Sequence, residues 1–148
     1  MLKRFWTCMS QIRFISSIVR HRPRFNLLNT ICARFPTGKA SPTNTSLFFF
    51  DGNNLVAVLD LIEKYPDKQT VFIGLFMVAA AYQGRGVGSK IVSSCFKQLA
   101  AEGYTHVRLG YVKTNPQAKS FWQKLGLVPT GIECEQEYYT VVVTDRII

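Results

Sequence analysis

The 148 residues predict one α/β domain: a mixed, mostly antiparallel central sheet flanked by helices, with one parallel crossover. Three features carry that expectation. Residues 47–78 hold strand-like apolar runs separated by turn residues. A glycine-rich stretch at 83–88 then opens a segment with helical spacing. A new strand-like run at 106–112 follows it, and strand–helix–strand in that order implies a parallel pair.

Taken in order, residues 3–20 place Phe5, Met9, Ile12, Ile15 and Val19 at helical spacing, and Pro23 ends the run. Residues 35–46 read as loop from their Pro, Gly, Ser, Thr and Asn content. Residues 47–50, the tetrad Asp51-Gly52-Asn53-Asn54 and residues 55–62 read as strand, tight turn and strand, because Asp-Gly supplies the positive φ of a hairpin turn. Tyr65-Pro66-Asp67-Lys68 is a second turn. Residues 70–78 are apolar on both faces, which suits the middle of a sheet and completes an antiparallel meander. Over 87–101, Val87, Ile91, Val92, Cys95, Phe96 and Leu99 form one apolar stripe of a helix that Gly103 caps. Residues 116–125 form a second helix, with Thr114 or Asn115 as N-cap and Gly126 as stop. Residues 138–143 supply a last strand rich in Tyr, Thr and Val. The chain thus divides into a divergent basic segment, 1–45, and a core over 46–148.

With 47% hydrophobic and 18% charged residues the composition is globular. No apolar stretch approaches the ~18–20 residues of a membrane-spanning helix, so a soluble protein without a membrane span is expected. The net charge of +9 is uneven: residues 1–50 hold eight Lys or Arg and no acid, whereas the remainder holds ten against nine. The basicity therefore belongs to the first third, and a nucleic-acid-binding role is not expected of the core. That basic start suits a mitochondrial transit peptide, an altered N-terminus, or a helix lying on an acidic partner. Cys8, Cys32, Cys95 and Cys134 are scattered, and His21 and His106 complete no ligand set, so neither a metal site nor a disulfide framework is indicated. Reduced thiols in a cytoplasmic setting are the expectation, with a mitochondrial location as the alternative.

The chemistry-bearing motif is Gln83-Gly84-Arg85-Gly86-Val87-Gly88, which follows a strand and opens a helix. The first N–H groups of a helix lack intrahelical partners and sit at the positive end of its dipole. Glycines there let a phosphate approach the amides closely, and Arg85 adds a cation. Two familiar phosphate loops do not fit: Gly88-Ser89-Lys90 breaks the P-loop pattern, and Ser89 stands where G-x-G-x-x-G needs glycine. The pattern Q/R-x-x-G-x-G/A fits at every position. A tight turn with close helix–sheet packing is the purely structural alternative for these glycines.

Together with Asn115-Pro116-Gln117-Ala118-Lys119-Ser120-Phe121-Trp122-Gln123-Lys124-Leu125-Gly126-Leu127, which is similar to N-x-x-A-x-x-F-Y-x-x-x-G-F, this loop makes residues 47–128 resemble the GNAT superfamily of N-acetyltransferases. The resemblance implies acetyl-coenzyme A as co-substrate, no metal, and direct attack by a primary amine of a small molecule or peptide. The cofactor set it implies is Phe76, Met77 and Val78 on the central strand, then Gln83, Gly84, Arg85, Gly86, Val87, Gly88 and Ser89, then Asn115, Ala118 and Phe121. Val78 matches the position whose backbone pairs with the pantetheine arm, and a backbone N–H of residues 76–78 would polarise the thioester carbonyl. A helix cap is an alternative or additional role for Asn115, and Phe121 and Trp122 also suit a core.

The departures bear on proton transfer. Trp122 stands where relatives place a tyrosine acid, which leaves Tyr111 as a substitute or solvent in its stead. Asp60, inside the apolar run 55–62, is the candidate base or amine anchor, with a solvated or paired strand face as its alternative. Glu133, Glu135 and Glu137 either attract a cationic amine or lie in a solvated loop. Ala80 replaces a usual proline, and residues 1–45 lack the expected acceptor-covering pattern apart from a faint match at 36–39. A catalytically weak coenzyme A-binding module is therefore the second reading. The Tyr- and Val-rich last strand also suits pairing across a homodimer.

Overall fold

A computed structural model describes residues 43–51 and 53–148 and, for residues 12–15, the backbone. Its strands are β1 (Ile12–Ile15), β2 (Thr43–Asp51), β3 (Asn54–Glu63), β4 (Thr70–Val78), β5 (His106–Val112), β6 (Val128–Glu135) and β7 (Thr140–Ile147). Among the described residues, helix α1 spans Val87–Ala101, α2 spans Pro116–Lys124, and a 3-10 turn covers Ala80–Tyr82. The strands form one sheet in the order β1-β2-β3-β4-β5-β7-β6, in which β4 and β5 are the only parallel neighbours among the described residues.

The predicted mixed sheet with one crossover is therefore present, and β4 lies at its centre as its two-sided apolar pattern requires. Both helices pack on one face. Ile91, Val92, Phe96 and Leu99 of α1 and Trp122 of α2 are buried there against Leu59, Val71, Ile73, Val107, Leu109 and Tyr111. Burying each large side chain contributes about 1.5–3 kcal/mol, so the helix stripe read from the sequence is also what fixes α1 to the sheet. A smaller cluster, Ile62, Tyr65, Phe72, Cys134, Val141 and Val143, occupies the other face.

Four expectations change. Residues 12–15, inside the stretch with helical spacing, form β1 and pair with β2 from Ile12↔Asp51 to Ile15↔Phe48. A short apolar run is ambiguous between the two periods, and an available strand edge decides it. The rest of 3–20, and Pro23, lie outside the described residues. β2 starts at Thr43, so 43–46 are strand rather than loop; there the Thr45 hydroxyl donates to Glu63 at 2.8 Å. The last strand is Thr140–Ile147, with Tyr138 and Tyr139 in the hairpin before it. It lies between β5 and β6, so it presents no free edge for the pairing across a homodimer expected of it. β6 has no counterpart in the sequence reading: it is an exposed edge strand, and a register shift between Pro129 and Glu133 interrupts its pairing with β7.

One irregularity organises the rest. β4 and β5 pair only from Thr70↔His106 to Ile73↔Leu109, although both strands continue. Beyond that point β4 stays with β3 through Val78 and β5 stays with β7 through Val112. The two central strands therefore part, leaving facing backbone edges without a strand between them.

Candidate functional site

Leaving the last β4–β5 pair, the register of β4 against β3 skips Gly74: Leu61 opposes Ile73 and Asp60 opposes Leu75. This bulge sits where the strands part, and a bulge redirects the side chains that follow it. Beyond it Phe76 and Val78 face the helices, whereas Leu75 (39% exposed) and Met77 (60% exposed) are left in solvent. Sequence reasoning passed over Gly74; a lone glycine within a β-branched and aromatic run was the signal available.

β4 runs into the 3-10 turn and then the glycine loop. Gln83 donates through Nε2 to the Val78 carbonyl at 2.8 Å, holding the loop back against the strand end. Gly86 is the N-cap residue of α1, with φ at 74° and no side chain to cap the helix. Gly84 shares the left-handed conformation, with φ at 71°. A Cβ on Gly86 would meet nothing within 4 Å, so its glycine answers to backbone conformation and leaves the space above it open. Gly88 differs: a Cβ there would lie 3.2 Å from Val78 Cγ2 and 3.5 Å from Phe76 and Phe121, so it lets α1 sit tightly on β4. The first bond recorded for α1 is Lys90 N–H to the Gly86 carbonyl at 3.1 Å, so the Val87, Gly88 and Ser89 amides precede it. Arg85 is exposed on the loop. These features fit a diphosphate: open amides, no obstructing side chain and a cation.

On α2, Asn115 Oδ1 accepts from the Ala118 N–H at 2.9 Å, so the capping role is real and leaves its amide nitrogen available. Ala118 and Phe121 are half-buried against the main core. Phe121 stacks on Phe76 at 5.7 Å between ring centroids and meets Trp122 edge-on at 4.8 Å. This aromatic group, with Gly88 and Val78, closes the helix side of the parted strands. Trp122 is largely buried, as a core aromatic would be.

The two catalytic candidates fall on different faces. Tyr111 lies on β5 beyond its last pairing with β4, buried on the helix face. Asp60 alternates with the buried Leu59 and Leu61 and so points to the opposite face, half-buried beside Leu75 and Ser46. Neither side chain has a hydrogen-bond partner among the described residues. Glu133 and Glu135 stand on β6 rather than in a loop, and Glu133 pairs with Lys113 at 2.8 Å, while Glu137 remains in the hairpin. Burial first, then the charge of Glu102, pushes the Cys95 thiol up to about 12 and keeps it protonated at neutral pH. A groove of about 720 Å³, lined by His106, Lys124 and Arg146 among others, lies at the opposite end of β5 from the parted strands.

Residues 13–127 match the model of the Acetyltransferase (GNAT) family. No curated protein matches the sequence significantly. Among solved structures, the ribosomal-protein-S18-alanine N-acetyltransferase of Escherichia coli superposes with a TM-score of 0.67 at 12% identity, covering 93% of this chain and 94% of that one. A GNAT family acetyltransferase of Elizabethkingia anophelis with acetyl-CoA bound gives 0.66 at 13%, covering 93% and 99%. An acetyltransferase of Thermus thermophilus gives 0.60 at 23%, covering 74% and 68%. At these identities the likeness shows the shared fold.

Proposed function

Because the chain belongs to the acetyltransferase (GNAT) family, we propose that it moves an acetyl group from acetyl-coenzyme A to a primary amine of a small molecule or peptide. The observation that carries this reading is that β4 runs out of the parted strands, through a 3-10 turn and the glycine loop, into a helix start without a side-chain cap. A donor with an extended arm and a diphosphate would use both features at once. The neighbour bound to acetyl-CoA, and the one named for an alanine of a ribosomal protein, support the donor and an amine acceptor respectively.

Bound acetyl-coenzyme A would supply a thioester whose carbonyl a neutral amine can attack. The amides of residues 84–89 and Arg85 would hold the diphosphate. The unpaired β4 edge at Phe76, Met77 and Val78 would hold the arm and present an N–H to the carbonyl oxygen. Gln83 ties the loop to the end of β4, Ala118 and Phe121 would line the space beside the arm, and the Asn115 amide nitrogen is left for the ligand. Fixing donor and amine in line lowers the barrier by up to about 7–11 kcal/mol in well-oriented cases. Asp60 and Tyr111, on opposite faces of the sheet, suit opposite ends of the reaction. Asp60 would take the proton of the attacking amine, and Tyr111 would return one to the leaving sulfur as the new C–N bond replaces the C–S bond. Trp122 offers no transferable proton at neutral pH.

Calorimetry with acetyl-coenzyme A tests this on the wild type and Gly86→Glu, which places bulk and negative charge at the cradle. Micromolar binding that the variant loses is expected, followed by thiol release in an amine screen. A folded wild type that binds no donor would overturn the reading. Binding without turnover on any amine would leave the weak coenzyme A-binding module as the function.

A further inference from the structure

Three bonds tie the segment between β4 and α1 to the sheet. The Ala79 N–H donates to the Val56 carbonyl at 2.8 Å, and Gln83 reaches the Val78 carbonyl. These two hold the segment to the ends of β3 and β4. The third runs sideways: the Tyr82 hydroxyl donates to Asp51 Oδ2, at 3.2 Å, across to the hairpin that joins β2 and β3. The Tyr82 ring packs against the main core, so its body is fixed by burial and its tip by Asp51. Desolvation, then the Asp51 bond and charge, hold the phenol above its ordinary range, while Asn54 and Arg85 pull the other way. The hydroxyl therefore remains a donor at neutral pH. Its neighbourhood is also shared with Arg85, a residue of the glycine loop itself. Asp51 is a junction in turn, opposite Asn54 of β3 and Ile12 of β1.

We propose that Tyr82 is a positioning residue of the donor site, acting through Asp51 to fix the pitch at which the glycine loop leaves β4. The proposal rests on the acetyl-coenzyme A reading above. The loop's own glycines cannot fix that pitch, because Gly84 and Gly86 sit in conformations that no neighbouring side chain enforces. A tether from the preceding residues to a rigid hairpin supplies the constraint and lowers the ordering cost of binding. Tyr82 touches no reacting atom, so its effect falls on donor affinity and not on the transfer step.

The test is acetyl-coenzyme A binding by calorimetry, with donor KM and kcat measured at saturating amine. Tyr82→Phe keeps the packed ring and removes the donor, and Asp51→Ala removes the acceptor. Each is expected to weaken donor binding ~3- to 10-fold, the range of one net hydrogen bond, with KM rising and kcat held. Both changes together weaken it no further than the worse single change, because they break the same contact. Asp51→Asn retains a carbonyl acceptor and recovers most of the loss. Unchanged affinity in Tyr82→Phe with a lowered melting temperature overturns the proposal, since that marks a prop of the fold alone. Full additivity of the two changes also overturns it. If Tyr82→Phe fails to fold, the Asp51→Ala and Asp51→Asn pair makes the same comparison. A wild type that binds no donor instead removes the reading beneath it, an outcome distinct from equal binding by wild type and variant.

Discussion

Helices α1 and α2 begin at the same end of the sheet, each shortly after a parallel strand, yet their first turns are built differently. At α2, Pro116 occupies the first turn, where its missing N–H costs nothing, and Asn115 Oδ1 accepts from the Ala118 N–H. The Asn115 carbonyl then receives Lys119 at 3.1 Å, as the Gly86 carbonyl receives Lys90 in α1, so the side-chain cap is what sets this helix start apart. At α1 the cap residue is Gly86 in the left-handed region and no side chain caps it, while neither helix carries an acid in its first turn. One helix start has a side-chain cap of its own. The other leaves its donors and the positive end of its dipole turned outward, where the proposed donor's diphosphate would complete it. The contrast separates stability from binding within a single layer of the fold.

The sharpest way to break that contrast is Gly86→Asn. Asparagine tolerates the left-handed conformation, so the variant keeps the loop backbone but fills the space that no neighbour occupies. Acetyl-coenzyme A affinity is expected to fall about tenfold or more, with the melting temperature within a few degrees of wild type. Wild-type affinity in this variant would mean that Gly86 serves backbone geometry alone, and the two helix starts would then differ in form without differing in purpose.

The parts of this arrangement that the sequence makes legible are those whose signal is local. The α1 stripe from Ile91 to Leu99 and the Gln83–Gly88 loop lie within twenty residues of one another, and their elements appear where periodicity and glycine spacing put them. The edge strands are another matter. β6 exposes every side chain except Cys134, so it has no buried alternation to detect, and β1 is decided by the free edge of β2. Pairing registers were equally hidden. The parting of β4 from β5, the bulge at Gly74 and the Asp51–Tyr82 bond each depend on which distant residues become neighbours. For Asp60 the sequence offers only a carboxylate in an apolar run, and the burial of Leu59 and Leu61 tells which face it takes.

A smaller effect is expected at the capped helix start. Asn115→Ala removes the cap and costs about 1 kcal/mol, lowering the melting temperature by roughly 2–4 °C for a chain of this size. Asn115→Asp keeps an oxygen acceptor and places a negative charge at the helix start, so it restores that stability. The two variants separate on binding. Both lack the amide nitrogen, and both are expected to weaken acetyl-coenzyme A about threefold if that nitrogen contacts the ligand, the size of one modest hydrogen bond. Wild-type affinity in Asn115→Asp would confine Asn115 to capping and make the two helix starts fully distinct.

The smallest expected effect lies at the other end of α1. Tyr104 folds back onto the helix, its N–H donating to the Leu99 carbonyl, and its hydroxyl donates to Glu63 Oε2 at 3.0 Å. Burial, then the bond and charge of Glu63, push the phenol up to about 12 from its ordinary 10.0. Because the folded value is the higher one, the unfolded chain loses this proton first as pH rises. The stabilisation is complete below pH 10 and is lost progressively as pH climbs towards 12. Tyr104→Phe is thus expected to be about 1 kcal/mol less stable than wild type near pH 8, with the gap closing between pH 10 and 12. A gap constant across that window would mean that the phenol titrates as it does in the unfolded chain. Acetyl-coenzyme A affinity near pH 8 should not change, since the anchored end of α1 is remote from its open start. A change there would show that the two ends of the helix are coupled, and that its open start draws on the same anchorage that holds the helix to the sheet.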